Sequence, residues 1–295
     1  MDRLDGLATF VAVADFGSFT QAARALRASP PAVTRAIAAL EARLGVSLLH
    51  RSTRSVRLTE EGSVFLERCR RILADLRDAE LNAIGKSAEP HGTLVVTASQ
   101  LFGRLHVIPV ITDLMARHPK LNVNLMLLDR PVQLVEEGID VAVRIGDLHD
   151  SSLVAVKLGA VRRVLVAAPS YLAERGTPST LADLRTHDIV AFTGISPTNE
   201  WRFGRAERST VQVSPRLIVN TAEAAIAAVE TGAGICRLLS YQVSDCVAAG
   251  RVSIVLTELE PDAVPVNLLF QSGRGAMPNA RAFIEAVKSR MIHLP

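Results

Sequence analysis

The chain reads as a multidomain α+β protein: a small N-terminal winged helix-turn-helix, a long linker helix, and a larger C-terminal α/β domain. Three observations predict this. Helical periodicity broken by tight turns and followed by a basic hairpin fills residues 1–58. A charged helix with a narrow apolar seam follows, and beyond residue 92 apolar β runs alternate with helical runs. At 295 residues, with 48% hydrophobic and 21% charged residues, the chain is long enough for about two cores.

Leu4, Leu7, Val11 and Ala14 mark a first amphipathic helix that stops near Phe16-Gly17. Thr20 is placed to cap a short second helix whose Ala22, Ala23 and Leu26 face inward, and alanine at contact positions lets helix axes approach closely. After the turn Arg27-Ala28-Ser29 comes "SPPAVTRAIAALEARLG". Ser29 caps this third helix, because Pro30 and Pro31 are tolerated only in a first turn, where the N–H groups have no intrahelical partner. Val33, Ile37, Leu40 and Leu44 then form a buried stripe, while Pro31, Thr34, Arg35, Ala38 and Ala42 share the outer face. A solvated face would carry Glu and Lys. This one is slim, with one arginine, which suits close approach to another molecule such as a duplex groove about 12 Å wide.

"VSLLHRSTRSVRLTEEG" gives the wing: an apolar stem, a basic tip of His50, Arg51, Thr53 and Arg54, and a return strand Val56-Arg57-Leu58. Between Thr20 and Leu58 lie seven arginines against Glu41 alone, a charge of +6 on a chain whose net charge is +3. A compact basic segment on a nearly neutral chain points to a polyanion partner.

Thr59 caps the next helix, with Glu60 and Glu61 suited to its first turn. Phe65, Cys69, Ile72, Leu76, Ala79 and Ala83 recur in a heptad-like seam flanked by charges, so this helix is expected to pair with a second copy of itself through Phe65, Cys69, Ile72 and Leu76. "GKSAEPHG", residues 85–92, is a linker.

In the C-terminal domain, strands are expected at 93–99, 122–129, 140–146, 162–169, 188–192, 216–220, 234–239, 251–256 and 264–270. Helices are expected through Leu105, Ile108 and Leu114, from Pro131 to Glu137, from Glu223 to Thr231, and from Ala280 to Met291. Apolar strands separated by helices imply mainly parallel sheets. Ligands then sit beyond the carboxyl ends of strands, which places Ser99 and Gln100 first among binding candidates. "FTGISPTNEW", residues 192–201, holds few charges and suits a small polar or aromatic ligand.

No catalytic constellation emerges: GxSxG, P-loop, HExxH and CxxC patterns are missing from the sequence, and its seven histidines show no metal-ligand spacing. The chain is expected to be no enzyme and to need no metal or cofactor. Cys69, Cys236 and Cys246 are too few and scattered for a disulfide framework, and Cys236 lies in an apolar run, where inert burial outweighs a redox switch. No apolar run approaches a membrane span and residues 1–7 lack a signal pattern, so a cytoplasmic protein without a membrane partner is expected.

Residues 1–87 resemble the winged helix-turn-helix and linker helix of LysR-type transcriptional regulators, whose pattern "F…V…GSFT.AA..L..S..AV.R.I..LE..LG..LL.R..R.V.LT..G" is matched from Phe10 to Gly62. Thr34 stands where serine is common. The resemblance implies three segments: 1–58 for DNA binding, 59–87 for linking and dimerisation, and 88–295 for effector binding. The last would form two subdomains, about 91–161 plus 266–295 and about 162–265, with a cleft between them as in periplasmic binding proteins. It implies DNA contacts at Thr20, Gln21, Pro30, Pro31, Thr34, Arg35, Arg51, Thr53 and Arg54, and cleft positions at Ser99, Gln100, Asp129, Gly146, Thr193, Trp201, Asn220 and Arg237. The implied partners are an operator duplex, a small-molecule effector and a second copy in a dimer or tetramer, with RNA polymerase added for an activator. Two other readings stay open from sequence: a small-molecule-binding protein that uses the helix-turn-helix for assembly, and a cysteine-switched regulator.

Overall fold

The computed structural model describes residues 3–51, 56–83, 89–146, 153–195 and 198–291. Two compact units divide the chain, Met1–Gly92 and Thr93–Pro295.

The first unit begins with α1 (Arg3–Phe16), which ends where Gly17 adopts a φ of 59°. Its buried face runs through Leu7, Phe10 and Val13, whereas Leu4, Val11 and Ala14 are half-buried. The expected stripe was therefore rotated, because the core is organised around the large Phe10 ring. Ser18 rather than Thr20 caps α2 (Phe19–Ala25), its hydroxyl accepting the Gln21 N–H. Ala22 and Ala23 are buried as expected, but Leu26 is exposed because it is the C-cap residue, where the chain leaves the helix. Arg27 then takes a left-handed φ of 51°, which makes the turn tight.

Ser29 caps α3 (Pro30–Leu44), with the prolines in its first turn, and Gly45 closes it at φ 74° by donating its N–H to Glu41 O at 2.8 Å. Val33, Ile37 and Leu40 are buried together with Ala36, while Leu44, at the end of the helix, is exposed. Strands β1 (Leu49–Arg51) and β2 (Val56–Leu58) pair antiparallel, with Leu49 opposite Leu58 and His50 opposite Arg57. Thr59 caps the 24-residue α4 (Glu60–Ala83), accepting the Gly62 N–H at 2.9 Å.

Strand β3 (Gly92–Ala98) leads into the second unit. Helix α5 (Gln100–Phe102) runs through a π turn (Gly103–Val107) into α6 (Ile108–Arg117), followed by β4 (Leu121–Leu127), β5 (Val141–Ile145) and β6 (Leu153–Val161). The π turn rotates the helix face, leaving Leu105 and Ile108 exposed while Leu114 is buried. Residues 131–137 form an irregular stretch and turns rather than the expected helix; the Glu137 carboxylate accepts the Gln133 N–H and N–H groups from both Nη atoms of Arg130, holding the segment in a compact loop.

Next come β7 (Arg163–Ala167), α7 (Pro169–Arg175), β8 (Ile189–Phe192), β9 (Glu200–Phe203), β10 (Ser209–Gln212) and β11 (Pro215–Val219). They are followed by α8 (Ala222–Glu230), β12 (Ile235–Leu239), α9 (Ser240–Ala248), β13 (Ser253–Val255), β14 (Val264–Gln271) and α10 (Pro278–Met291). One sheet has the order β4-β3-β5-β14-β6 and the other β11-β8-β12-β7-β13. Both are mixed, which corrects the expectation of mainly parallel sheets. Strands β3 and β5, and likewise β11, β8 and β12, run parallel, but β14 is antiparallel to β5 and β6, and β7 to β12 and β13. The reversal arises because β14, coming from the second sheet, is inserted into the first between β5 and β6. A continuous core joins the two sheets through Val96, Val143 and Val266 of the first and Val164, Val190 and Leu238 of the second.

Candidate nucleic-acid interface and effector cleft

The outer face of α3 has the form the sequence suggested. Pro30, Pro31, Thr34, Arg35, Ala38 and Ala42 are all exposed, as are Thr20 and Gln21 on α2. The Thr34 hydroxyl donates back to Pro30 O at 3.0 Å, so this polar group lies flat against its own helix and leaves the surface low. Arg35 makes no hydrogen bond or ion pair among the described residues and is free to reach outward. The ribbon presents exposed His50 and Arg57 as a cross-strand pair. Arg51 ends β1, while Thr53 and Arg54 lie outside the described residues.

The seam on α4 divides into two parts. Cys69 is fully buried in the core of the first unit and Phe65 packs against it, its ring centroid 5.7 Å from that of Phe10. These residues serve the fold of their own domain, which sequence periodicity cannot distinguish from pairing. Ile72 and Leu76 turn away from that core, on which Leu73 between them still packs, and are 45% and 37% exposed, so the part of the seam left uncovered lies in the second half of the helix. The side chains of Ala79 and Ala83 are outside the described residues.

In the second unit, Ser99 follows β3 and precedes α5, the position expected for a ligand contact, but it makes no cap hydrogen bond. The cap is Asp129, whose Oδ1 accepts the Gln100 N–H at 3.0 Å. The helix start therefore already faces a carboxylate of the protein, and the Ser99 hydroxyl is left out of the cap. Asp129 is placed by Arg144, whose Nη1 donates to Leu128 O at 2.7 Å and whose Nη2 reaches Thr97 Oγ1 at 3.4 Å. Burial holds the Arg144 guanidinium below its usual pKa, with the nearby Asp129 charge opposing that shift. Sequence reasoning missed Arg144; the one signal for it was a lone charge inside the apolar run "VAVRI".

A second feature missed in the sequence joins the two halves of this unit. Tyr241, at the start of α9, meets Phe102 edge-on at 5.2 Å and His106 at 5.7 Å. Nearby, Arg104 and Glu223 form an ion pair at 3.7 Å. Burial pushes the Tyr241 hydroxyl pKa up and the His106 pKa down, so both are neutral near pH 7. The His106 Nε2 is buried without a hydrogen-bond partner among the described residues.

Of the other expected cleft residues, Gly146 follows β5 at φ 135° and its carbonyl accepts from Asn267 Nδ2 at 3.1 Å. Thr193 and Asn220 are exposed at the carboxyl ends of the parallel strands β8 and β11, where the topology rule places ligand contacts. Trp201 and Arg237 are brought together beneath the β9-β10 hairpin. Side chains alternate along β12, with Cys236 and Leu238 in the core joining the sheets and Ile235 on the opposite face with Trp201, Phe203 and Val211 of the β9-β10 hairpin. Arg237 shares that covered face, its guanidinium carbon 5.0 Å from the Trp201 ring centre and 4.7 Å from that of Phe203, with Nη2 donating to Arg202 O at 2.7 Å. Trp201 is 1% exposed and Arg237 8%, so these two are core residues rather than a surface offered to ligand.

All three thiols are buried. Cys236 is fully buried and burial pushes its pKa to about 12; Cys69 is raised to about 11 for the same reason. Cys246 is also buried and raised, although Arg251 Nη2 lies 3.2 Å from its sulfur. The native protein is accordingly expected to leave Cys69 and Cys236 unmodified by a thiol-specific alkylating agent at pH 8, and to release them only on unfolding. Rapid native-state labelling of Cys236, followed by mass spectrometry, would contradict this.

Comparison with known proteins agrees with both halves. The family described as bacterial regulatory helix-turn-helix protein, lysR family, matches residues 4–63, and the LysR substrate binding domain matches residues 87–292. The chain is 34% identical over 290 residues to a helix-turn-helix transcriptional repressor of Pseudomonas aeruginosa, covering 97% of this chain and 92% of that protein. It is 33% identical over 272 residues to the transcriptional activator AaeR of Escherichia coli, covering 92% and 88%. Among solved structures it is similar to CrgA, a LysR-type transcriptional regulator of Neisseria meningitidis, at a TM-score of 0.63 and 30% identity over 97% of this chain and 98% of that one. The full-length Vibrio cholerae activator AphB gives a TM-score of 0.62 at 25% identity, covering 98% and 100%.

Proposed function

Since the chain belongs to the lysR family of bacterial DNA-binding transcriptional regulators, we propose that it reads an operator through α3 and the wing as a dimer or dimer of dimers, and that a small molecule in the second unit alters how its subunits are arranged. The observation that carries this reading is the outer face of α3, where exposed Pro31, Thr34, Arg35, Ala38 and Ala42 leave one cation, unpaired among the described residues, on a surface slim enough for a groove. Such a face serves no core and no solvation purpose of its own. Ser99, Gln100, Asp129, Gly146, Thr193 and Asn220 are the residues proposed to surround the effector. It acts by linkage, binding one arrangement of subunits better than the other. The chain works where chromosomal DNA is, in the bacterial cytoplasm, and regulates rather than catalyses. Relatives of similar identity include a repressor and an activator, so contact with RNA polymerase belongs only to the activating case.

Arg35→Ala tests the reading. Loss of a base contact weakens operator binding by about 1–3 kcal/mol and relaxes specificity at one position; loss of a phosphate contact weakens all sequences alike and reduces the salt slope by about one. Operator titrations at two salt concentrations separate these outcomes. Unchanged binding at both would remove Arg35 from the interface.

A further inference from the structure

Glu41 is the single acidic residue among the seven arginines of residues 20–58, and its charge is set against the polyanion that segment is proposed to bind. Its carboxylate is turned away from the outer face. Oε1 accepts the backbone N–H of Leu48 at 2.8 Å and of Leu49 at 3.2 Å, the two residues from which the wing departs. Bonds from backbone N–H to a carboxylate are among the stronger ones in proteins, and two on one oxygen fix direction as well as distance.

The carbonyl side of the same short segment is bound to the other helix. Leu48 O accepts the Thr59 N–H at 3.0 Å, and Ser47 O accepts the Thr59 hydroxyl at 2.8 Å. Gly62, in the first turn of α4, packs so closely that a Cβ there would stand 2.0 Å from Leu48 O. Leu48 and Leu49 are themselves buried in the core of the first unit. Residues 47–49 are thus tied through their N–H groups to α3 and through their carbonyls to α4.

We propose that Glu41 is the positioning residue of the wing, and that the joint Glu41, Ser47–Leu49, Thr59 and Gly62 makes α3, the base of the ribbon and the start of α4 one rigid body. The inference deepens the DNA-reading function and rests on it for its consequence: an effector changes the distance between two reading heads and leaves the geometry within each head unchanged. A helix, a ribbon and a linker helix joined at one segment have no hinge between them.

The test uses the full chain with Glu41→Ala, Glu41→Gln and Arg57→Ala, each checked for a wild-type far-UV spectrum and melting. In hydroxyl-radical footprints, Glu41→Ala is expected to lose the protection that Arg57→Ala also loses, at the wing flank of each half-site, and to keep protection where α3 docks. Overall affinity falls about tenfold. Glu41→Gln retains an acceptor oxygen and restores most of the flank protection. Independently of DNA, amide exchange of Leu48 and Leu49 is expected to quicken in Glu41→Ala and to stay close to wild type in Glu41→Gln. Unchanged exchange at both amides in Glu41→Ala would overturn the proposal, as would uniform loss of protection across the half-site in a folded variant. A wild-type chain that gives no footprint would instead overturn the DNA-reading function, while the exchange measurement still decides whether Glu41 holds the wing.

Discussion

Replacing Ile72 and Leu76 together by glutamate is expected to convert the protein into a monomer and to weaken operator binding by about 100-fold or more. Both side chains are exposed on α4, outside the core of the first unit and one helical turn apart, and helix-forming glutamate leaves the helix intact while placing charge at the proposed pairing face. Two reading heads joined in a dimer gain the second half-site as an intramolecular event, an advantage of about 10²–10⁴ that a monomer forfeits without losing any contact of its own to DNA. Phe65→Leu, by contrast, acts on the fold of a single subunit, because Phe65 packs in the core with Phe10. Sedimentation velocity and fluorescence anisotropy on a two-half-site duplex measure the pair of effects. A variant that remains dimeric with wild-type affinity would place the pairing surface elsewhere.

Trp201→Ala is expected to lower the stability of the second unit by about 3–5 kcal/mol, and its melting temperature by about 10 °C. The indole is almost fully buried, fills the core beneath the β9-β10 hairpin, and covers one side of the Arg237 guanidinium. Burial lowers the Arg237 pKa to about 10, so the ring and the Arg202 carbonyl are what make a charge tolerable there. Truncating the ring leaves a cavity and exposes that charge to poor company. Arg237→Met, which removes the charge and keeps the volume, should be much milder. A Trp201→Ala protein with wild-type melting and only a lost effector response would instead make Trp201 a ligand contact. Calorimetry with and without effector distinguishes the two.

Where sequence chemistry is local, the fold was legible. Ser29, Pro30, Pro31 and Gly45 mark the limits of α3 because caps and first-turn prolines depend on a few adjacent residues, and the structure places them at those limits. Legibility ended where a partner distant in sequence decides. Phe65 and Cys69 fit a pairing seam by spacing alone; only the arrival of α1, with Phe10 and Val13, turns them into core. Trp201 and Arg237 stand 36 positions apart, and nothing in either neighbourhood announces that one ring covers the other residue's guanidinium. Ser99 was legible as a strand-to-helix junction, whereas its replacement as cap by Asp129 depends on Arg144 fixing the Leu128 carbonyl across the sheet. The mixed sheets were hidden for the same reason, since β14 joins strands that precede it by more than a hundred residues.

Recovery of genomic DNA by the purified full-length protein, with footprinting repeated at rising salt, bears on all of these claims at once. The expected result is enrichment of one or a few sites, each with two half-sites about one helical turn apart, whose preference over other DNA persists as salt weakens binding overall. Diffuse binding that disappears with salt and favours no site would contradict it. The arginines of residues 20–58 would then be an electrostatic patch, and the slim face of α3 would serve some other partner.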